Sequence, residues 1–291
     1  MNPDALVSVG LPTFNGGRHL EKTVRSVLAQ DHENLELIIS DNASTDDTEE
    51  ICRDLAATDD RVAYHRQPEN VGGVRNFTAA LGLAKGEFFR WVGDDDTLAP
   101  HCLSRSLEEF ARDERVVLVT AQTSYTTDGV TRTLPYEGTA LGSDDPAERF
   151  AEMMRLLTES YLLMDALYGV HRTAVVRSIP RPILVREDEI AAARHALAGP
   201  WAHVPEVLSH RHWVHASPVR MSRRLALPAW RGCFATLIQV RVLLHVLDET
   251  ELTPAQRHRA RAAVFKLYVT RQRRLAARGG RKLARLAHLS R

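Results

Sequence analysis

Apolar and polar residues follow each other along the first part of the chain in alternating strand and helix patterns. Five short apolar runs predict strands, at residues 6–11, 35–40, 62–65, 87–92 and 116–120. Between them, apolar residues repeat at helical spacing, as Leu20, Val24 and Val27 do. This alternation predicts an α/β fold in which a mainly parallel, Rossmann-like sheet carries helices on both faces.

The second half of the chain has a less regular pattern. Residues 121–143 are rich in Thr, Gly and Tyr and predict irregular strands or hairpins, whereas residues 146–163 predict a helix. Another helix is expected from about Asp188 to Leu197, ended by Gly199-Pro200. From residue 221 onward the spacing of apolar residues is helical.

These patterns divide the chain into two parts. Residues 1–220 are expected to form one α/β domain with the halves 1–120 and 121–220. Residues 221–291 are expected to form a helical, basic C-terminal extension with a turn near Gly279-Gly280.

Composition narrows the class of protein. Of the 291 residues, 44% are apolar and 26% are charged, which is ordinary for a globular protein and excludes disordered and collagen-like classes. The three cysteines form no CxxC pair, so a zinc knuckle is excluded and a reducing compartment is expected. The N-terminus lacks the pattern of a signal peptide, and no apolar run reaches the roughly 18–20 residues of a membrane span. A cytoplasmic location is therefore expected.

Charge is distributed unevenly. Residues 252–291 contain twelve basic residues and no acidic one, whereas the rest of the chain contains 26 basic and 37 acidic residues. A basic tail of this kind predicts an anionic partner, such as a lipid surface or nucleic acid. Nucleic acid is disfavoured, because few aromatic residues are interleaved with the basic ones. The alternative is that the tail lies on the acidic body of its own protein.

Three polar clusters follow predicted strands directly, at residues 12–17, 41–47 and 93–96. In parallel sheets, ligands bind at the carboxyl ends of the strands. Because all three clusters fall at such ends, the spacing predicts one shared site built from three loops.

Two acidic motifs lie in these loops. The consecutive carboxylates of Asp94, Asp95 and Asp96 suit a hard cation such as Mg²⁺ or Mn²⁺, although a solvated turn that caps a helix has the same composition. Asp41 and Asn42 can accept a hydrogen bond from a nucleobase or a ribose hydroxyl, or can form an Asx turn. Ser44 or Thr45 is expected to cap the following helix.

Two further motifs suit a nucleotide. Phe14 ends the first strand, where a base could stack on it, or else it belongs to the core. Gly72, Gly73 and Arg75 lie at a predicted helix start, where backbone N–H groups and the arginine favour a diphosphate, or where the glycines simply form a turn. The absence of GxGxxG and of a P-loop disfavours dinucleotide oxidoreductases and P-loop NTPases.

Two motifs in the second half could contribute to chemistry. Glu187 and Asp188 open a predicted helix, where a carboxylate is stabilised in the ionised form that a general base needs, or where it serves as an ordinary cap. His210, His212 and His215 could ligate a metal, but most such histidines are structural or lie at the surface.

Taken together, these elements resemble the GT-A glycosyltransferases of family 2. The matching segments are VSVGLPTFNGGRHLEKTVRSVLAQ, LELIISDNASTDDT and NVGGVRNFTAALGLAKGEFFRWVGDDDTLAP, whose order and spacing cover residues 6–115. A weaker match, REDEIAAARHALAGPWAHVPEVLSHRHWVHAS, resembles the acceptor-side segment of the same family.

The resemblance implies an inverting transferase with a GT-A fold that uses a nucleoside-diphosphate sugar, with UDP or dTDP favoured as the carrier. Mn²⁺ or Mg²⁺ is the implied cofactor, and the acceptor is a saccharide, a lipid-linked molecule or a small molecule. Residues 1–120 would hold the donor and residues 121–220 the acceptor. The implied role is in cell-wall or polysaccharide biosynthesis in the cytoplasm, with the basic tail in peripheral contact with the inner face of the cell membrane.

The resemblance also implies roles for individual residues. The nucleotide-sugar-binding residues would be Pro12, Thr13, Phe14, Asn15, Asp41, Asn42, Arg75 and Asp94. Asp95 would ligate the metal, with Asp96 sharing that role, and Asp188 would be the general base. Gly93 departs from the family pattern, which often has Asp there. Glu187 remains an alternative base, and His212 or His215 a further metal ligand.

Two alternatives remain open at this stage. A sugar-1-phosphate nucleotidyltransferase also needs a carboxylate-bound metal on an α/β sheet, although the first loop lacks the usual basic, glycine-rich character. A sugar-nucleotide-binding protein without activity would keep the same fold, but the retained acidic residues argue against it.

Overall fold

A computed structural model describes residues 4–159, 166–213 and 216–289, with side chains described as far as residue 277. The strands are β1 (Val7–Thr13), β2 (Leu35–Asp41), β3 (Val62–Arg66), β4 (Phe88–Trp91), β5 (Thr97–Leu98), β6 (Leu118–Thr127), β7 (Val130–Thr133), β8 (Val170–Arg172) and β9 (Trp201–His212). The helices are α1 (Gly17–Leu28), α2 (Thr48–Thr58), α3 (Gly73–Leu83), α4 (Cys102–Arg112), α5 (Pro146–Glu159), α6 (Thr173–Ser178), α7 (Glu187–Ala198), α8 (Pro218–Arg224), α9 (Ala229–Cys233), α10 (Ala235–Glu249) and α11 (Pro254–Leu289). The end of the helix predicted for 146–163 lies outside the described residues.

The strands form one sheet in the order β3-β2-β1-β4-β8-β6-β9-β5, with β7 paired to β6, within the described ranges. β1, β2, β3 and β4 are joined by parallel pairing, and β6 is parallel to β9. β8 runs antiparallel to both β4 and β6, so β6 points in the same direction as β4. Most of the described strands therefore share one direction, which confirms the predicted mainly parallel sheet.

Helices cover both faces of the first half of this sheet. Phe88 of β4 packs on Phe110 of α4, with ring centroids 4.5 Å apart. The next residue, Phe89, points to the opposite face and joins a buried cluster with Leu81 at the end of α3. Because successive side chains of a strand alternate between faces, a strand that is buried on both sides has an almost continuous apolar sequence.

The C-terminal helices share a second core with the other half of the domain. This buried cluster includes Phe150 of α5, Trp201 of β9, Leu243 of α10 and Leu267 of α11. The two last helices are thus packed against residues of the segment 121–220. The boundary at residue 220 stays a prediction.

The basic tail makes contacts with the body of its own chain. Four arginines in its described half form ion pairs with carboxylates of the body, namely Arg257, Arg259, Arg261 and Arg271. For this half, the structure supports the interpretation that the tail lies on its own protein. No helix of the described ranges combines the length and the apolar character that a membrane span requires.

The turn predicted near Gly279-Gly280 is wrong, because α11 continues to Leu289. A glycine inside a helix costs about 1 kcal/mol relative to alanine. In a helix of 36 residues, two such positions are not enough to end it.

Candidate active site

Three loops meet at the carboxyl edge of the parallel strands, as the spacing predicted. Thr13 Oγ1, at the end of β1, donates to Asp94 Oδ2, after β4, at 2.6 Å. The backbone N–H of Asn15 donates to Ser44 Oγ, after β2, at 2.9 Å. The approach at Gly16 is so close that a Cβ there would lie 2.3 Å from Thr13 Oγ1 and 2.6 Å from Asp94 Oδ2. The loops therefore form one continuous surface.

The second loop folds differently from the prediction. α2 begins at Thr48, so the predicted cap at Ser44 or Thr45 is wrong. Asp46 accepts a hydrogen bond from the backbone N–H of Thr48 at 3.1 Å, and Ser44 donates to Asp41 at 2.6 Å. Ser44 therefore belongs to the site edge rather than to the helix start.

Asp94 and Asp95 are half-buried carboxylates close to other acidic groups. Burial raises the pKa of Asp94, and the charge of Asp96 raises it further. Burial also raises the pKa of Asp95, followed by the charges of Asp96 and Asp94. Like charges in a partly desolvated place are costly, so a bound cation would relieve this repulsion.

Asp96 is occupied by contacts within the protein. It is 2% exposed, its Oδ2 accepts from Arg211 Nε at 2.8 Å, and its Oδ1 accepts from the backbone N–H of His212 at 3.1 Å. A Cβ at Gly93 would lie 2.7 Å from Asp96 Oδ2, so a side chain at position 93 would disturb this pair. The role of Asp96 as a metal ligand stays a prediction, and both of its oxygens already have donors in this structure.

The residues beside Asp95 fit a divalent cation. His212 Nδ1 lies 2.8 Å from the carbonyl oxygen of Asp95, and because a carbonyl only accepts, Nδ1 carries the proton. This leaves the lone pair of Nε2 on an exposed ring, which is the arrangement that metal-binding histidines use. No group of three or more His, Cys, Asp or Glu is arranged for a metal among the described residues. His215 lies outside the described residues.

Asp41 is fully buried and surrounded by donors. Its Oδ1 accepts from the N–H and hydroxyl of Ser44, and its Oδ2 accepts from Tyr64 at 2.8 Å and Arg66 at 2.6 Å. Burial alone would raise the pKa of Asp41, but the hydrogen bonds from Ser44, Tyr64 and Arg66 outweigh it and lower the pKa. Each carboxylate oxygen thus has two donors, and a ligand N–H would have to replace one of them.

Asn42 and Asn76 hold the start of α3 against the sheet edge. Asn42 accepts from the backbone N–H of Val71 at 2.8 Å. Asn76, which the sequence analysis did not single out, is buried and donates to the carbonyl oxygen of Ser40 at 2.7 Å. Asn76 lies inside a segment that carries the family resemblance, but only its contacts show what it does.

Arg75 and Phe14 are both exposed at this edge. Arg75 lies in the first turn of α3 and makes no ion pair or hydrogen bond through its side chain within the described residues. Phe14 is 45% exposed, so the alternative that it belongs to the core is wrong. An aromatic face and a guanidinium are therefore both accessible to a ligand.

The start of α7 distinguishes Asp188 from Glu187. Glu187 forms an ion pair with Arg181, with Arg181 Nε 3.0 Å from its Oε2, and its side chain is 11% exposed. Asp188 lines a small cavity with Arg181, His195 and Trp91 at the end of β4. Burial lowers the pKa of His195 to about 4, so this histidine is neutral at pH 7. Asp188 is thus the carboxylate of this pair that faces a cavity.

A buried ionic network, also missed by the sequence analysis, fixes α7. Glu189 Oε2 accepts from Arg271 of α11 and Gln239 of α10, at 2.7 Å and 2.8 Å. Burial opposes ionisation of Glu189, but the charges of Arg271 and Arg186 outweigh it and lower the pKa of Glu189. The C-terminal helices therefore hold the helix that carries Asp188.

The family of the chain is established by comparison. A family model described as "Glycosyl transferase family 2" matches residues 8–175, which is more than half of the chain. This chain belongs to glycosyl transferase family 2, which confirms the resemblance seen in the sequence motifs.

Curated relatives match about a third of the chain. The chain is 38% identical over 104 residues to the GalNAc(5)-diNAcBac-PP-undecaprenol beta-1,3-glucosyltransferase of Campylobacter jejuni, covering 35% of this chain and 34% of that protein. It is 40% identical over 103 residues to the abequosyltransferase RfbV of Salmonella typhimurium, covering 34% and 31%. Each match spans about a third of the relative's length.

Solved structures show the same fold over most of the chain. Staphylococcus aureus TarS 1–349, in complex with UDP-GlcNAc, superposes with a TM-score of 0.67 at 16% identity, over 90% of this chain and 72% of that one. The mannosyltransferase PcManGT of Pyrobaculum calidifontis, in complex with GDP-Man and Mn²⁺, gives 0.58 at 18% identity, over 97% and 79%. The predicted GT-A fold is confirmed.

Proposed function

We propose that this chain is an inverting glycosyltransferase that moves a sugar from a nucleoside-diphosphate sugar to a hydroxyl of a saccharide or lipid-linked acceptor. The observation that carries the proposal is that Asp94 and the first turn of α3 both contact Thr13 at one edge of the sheet, Asp94 through Thr13 Oγ1 and Asn76 through the carbonyl oxygen of Thr13. Carboxylates for a cation and a sugar, and an exposed arginine for a diphosphate, are what such a donor requires. The donor half is placed at 1–120 and the acceptor half at 121–220.

Donor binding would use the exposed groups of the edge. The ring of Phe14 would stack on the base, with Pro12 two residues earlier lining the same pocket. Arg75 and the N-terminus of α3 would bind the diphosphate. Asp41 can bind the base only in exchange for one of its donors, and the exchangeable one is Arg66, whose side chain is 31% exposed. Thr13, Asn15 and Asn42 would shape the pocket through the contacts described above. UDP or dTDP is favoured as the carrier.

Asp95 would hold Mn²⁺ or Mg²⁺, with His212 as a further ligand and Asp94 beside it contacting the ribose or the sugar. Such an ion neutralises charge on the departing diphosphate. The complexes of TarS with UDP-GlcNAc and of PcManGT with GDP-Man and Mn²⁺ support a donor and a cation of this kind.

Asp188 would act as the general base on the acceptor side. It removes the proton from the acceptor hydroxyl while that oxygen bonds to the anomeric carbon, and the bond from this carbon to the diphosphate breaks on the opposite side. The sugar's configuration is inverted, and a nucleoside diphosphate is the second product. The name of the Campylobacter relative, which specifies a PP-undecaprenol acceptor, supports a lipid-linked acceptor. A role in polysaccharide or cell-wall biosynthesis is part of the same proposal.

The identity of the phosphate-containing product tests this function. The chain would be incubated with UDP-, dTDP- and GDP-sugars and Mn²⁺, and ³¹P NMR would follow the products. We expect the slow release of a nucleoside diphosphate from one donor, because water can replace the acceptor at a low rate. A parallel incubation with a sugar 1-phosphate and the nucleoside triphosphates tests the alternative, and release of pyrophosphate there, with no nucleoside diphosphate in the first incubation, would instead identify a nucleotidyltransferase.

A further inference from the structure

A row of large apolar side chains is exposed on the first C-terminal helices. Trp230, Phe234 and Leu237 are 54%, 55% and 52% exposed. Backbone hydrogen bonds from Phe234 to Trp230 and from Ile238 to Phe234 continue the helical pattern from α9 into α10. The spacing i, i+4, i+7 therefore places the three side chains, and Arg241 at i+11, along one face.

The opposite face of the same helices belongs to the core. Ala235, Gln239, Leu243 and Val246 are buried. The exposure of the aromatic row is thus not a result of loose packing, because the helix is fixed to the protein by its other side. This helix therefore has apolar side chains on its outer face as well as on its buried face. Contiguous apolar side chains exposed at a protein surface commonly mark an interaction site.

Exposed arginines lie on this row and on the adjacent helix α8. Arg220, Arg223, Arg224 and Arg241 are exposed and form no ion pair within the part of the chain that the structure describes. They lie in the segment 207–247, which contains six arginines and no aspartate or glutamate. The arginines of α11 differ, since four of them pair with the chain's own carboxylates.

α8, which carries three of these arginines, packs closely against α9, the helix that carries Trp230. A Cβ at Gly232 would lie 2.6 Å from the Cα of Val219. The two helices therefore touch at a position that only glycine permits. We name the exposed row of Trp230, Phe234, Leu237 and Arg241, together with Arg220, Arg223 and Arg224 of the adjacent helix α8, the aromatic–arginine surface.

We propose that the aromatic–arginine surface binds an anionic lipid bilayer. Aromatic and aliphatic side chains enter the boundary between headgroups and acyl chains, and arginines bind the lipid phosphates. Between residues 207 and 247 no carboxylate repels anionic headgroups. Charge complementarity together with exposed aromatic residues favours lipid over a purely polyanionic partner.

The position of the surface connects it to the donor site. β9 ends at His212, beside Asp95, and α8 begins at Pro218. A saccharide on a lipid carrier would thus be presented near the donor. This last step rests on the proposed function, whereas bilayer binding by itself does not.

Co-sedimentation with vesicles tests the surface without any donor or acceptor. The full-length chain would be mixed at low salt with vesicles of phosphatidylcholine alone or of phosphatidylcholine with the anionic lipid phosphatidylglycerol. We expect pelleting only with the anionic vesicles and release by 0.5 M NaCl, a concentration that shortens the screening length to about 4–5 Å. The double variant Trp230→Ala/Phe234→Ala should lower the partition coefficient by about tenfold or more.

A matched control distinguishes this surface from the tail. Phe265 of α11 is 68% exposed and Arg273 and Arg274 are exposed beyond it, so Phe265→Ala/Arg273→Gln/Arg274→Gln removes comparable groups elsewhere. We expect this variant to bind vesicles nearly as the unaltered chain does. If it abolishes binding while Trp230→Ala/Phe234→Ala binds normally, the tail is the contact and the proposal is overturned.

Quenching by brominated lipid provides a second, independent readout. Trp230→Phe keeps an aromatic side chain and should still pellet, but most of the quenching of tryptophan fluorescence should disappear. Undiminished quenching in this variant would show that Trp230 does not enter the bilayer. A chain that fails to pellet with anionic vesicles at all, or that pellets equally with both kinds, also refutes the proposal. The vesicle experiments use no sugar donor, and donor turnover is measured in a separate assay. A failure of the proposed enzymatic function is therefore distinguishable from a failure of bilayer binding.

Discussion

Asp188→Asn is expected to lower kcat for sugar transfer by a factor on the order of 10²–10⁴, which is the range that general bases contribute. The amide keeps the shape of the side chain but cannot accept the proton of the acceptor hydroxyl. The affinity for the nucleoside diphosphate should change little, because Asp188 is proposed to act on the acceptor hydroxyl and not to bind the donor. Steady-state kinetics and a binding titration on the same protein measure the two quantities.

Glu187→Gln is the matched control for this variant. Glu187 neighbours Asp188 in sequence but is paired with Arg181, so its neutralisation should lower stability more than kcat. Thermal melts show the temperature at which both variants are folded, and activities are compared there. If Glu187→Gln is inactive and Asp188→Asn retains normal activity, the assignment of the base is wrong.

Arg271→Gln should lower the free energy of unfolding by about 3–5 kcal/mol, the usual cost of removing one partner from a buried ion pair. The side chains of Arg271 and Glu189 are 11% and 10% exposed, so solvent screens the pair little. Arg271 also donates to Gln239 at 2.6 Å and to the carbonyl oxygen of Leu157 at 2.7 Å. The variant leaves all three acceptors short of a donor. Urea denaturation measures the change.

Arg273→Gln provides the control on the same helix. Arg273 is exposed, and a surface substitution of this kind should stay within about 0.5 kcal/mol. In a double-mutant cycle, Glu189→Gln should destabilise less when Arg271 is already Gln, because the two substitutions remove the same pair. Equal effects of Arg271→Gln and Arg273→Gln would show that the network does not stabilise the fold.

The first half of the fold was predictable because its signals are local. Apolar runs such as 6–11 and 35–40 predict strands that are buried on both faces. The polar residues that follow such strands lie together at one edge of a parallel sheet. The meeting of Thr13, Asn15 and Asp94 therefore followed from spacing alone. Exposure of Phe14 did not follow, because a lone aromatic residue at a strand end is equally consistent with the core.

The remaining features depend on pairs that are distant in sequence. Asp96 and Arg211 are 115 positions apart, so nothing beside the acidic motif indicated that one of its carboxylates is used within the protein. The tail was interpreted from its charge, which does not show that Arg271 turns inward to Glu189, 82 positions earlier. The choice between Glu187 and Asp188 likewise required the contact with Arg181.

The most direct test of the donor site is a calorimetric titration of the folded chain with UDP, dTDP and GDP, each with and without Mn²⁺. We expect one nucleoside diphosphate to bind in a metal-dependent manner, and Asp95→Asn to remove the dependence on Mn²⁺ while the protein stays folded. At 100 times the dissociation constant, the ligand should add about 2.7 kcal/mol of stability, which a melting curve confirms. Failure of all three nucleotides to bind under either condition would contradict a nucleoside-diphosphate-sugar site at this edge.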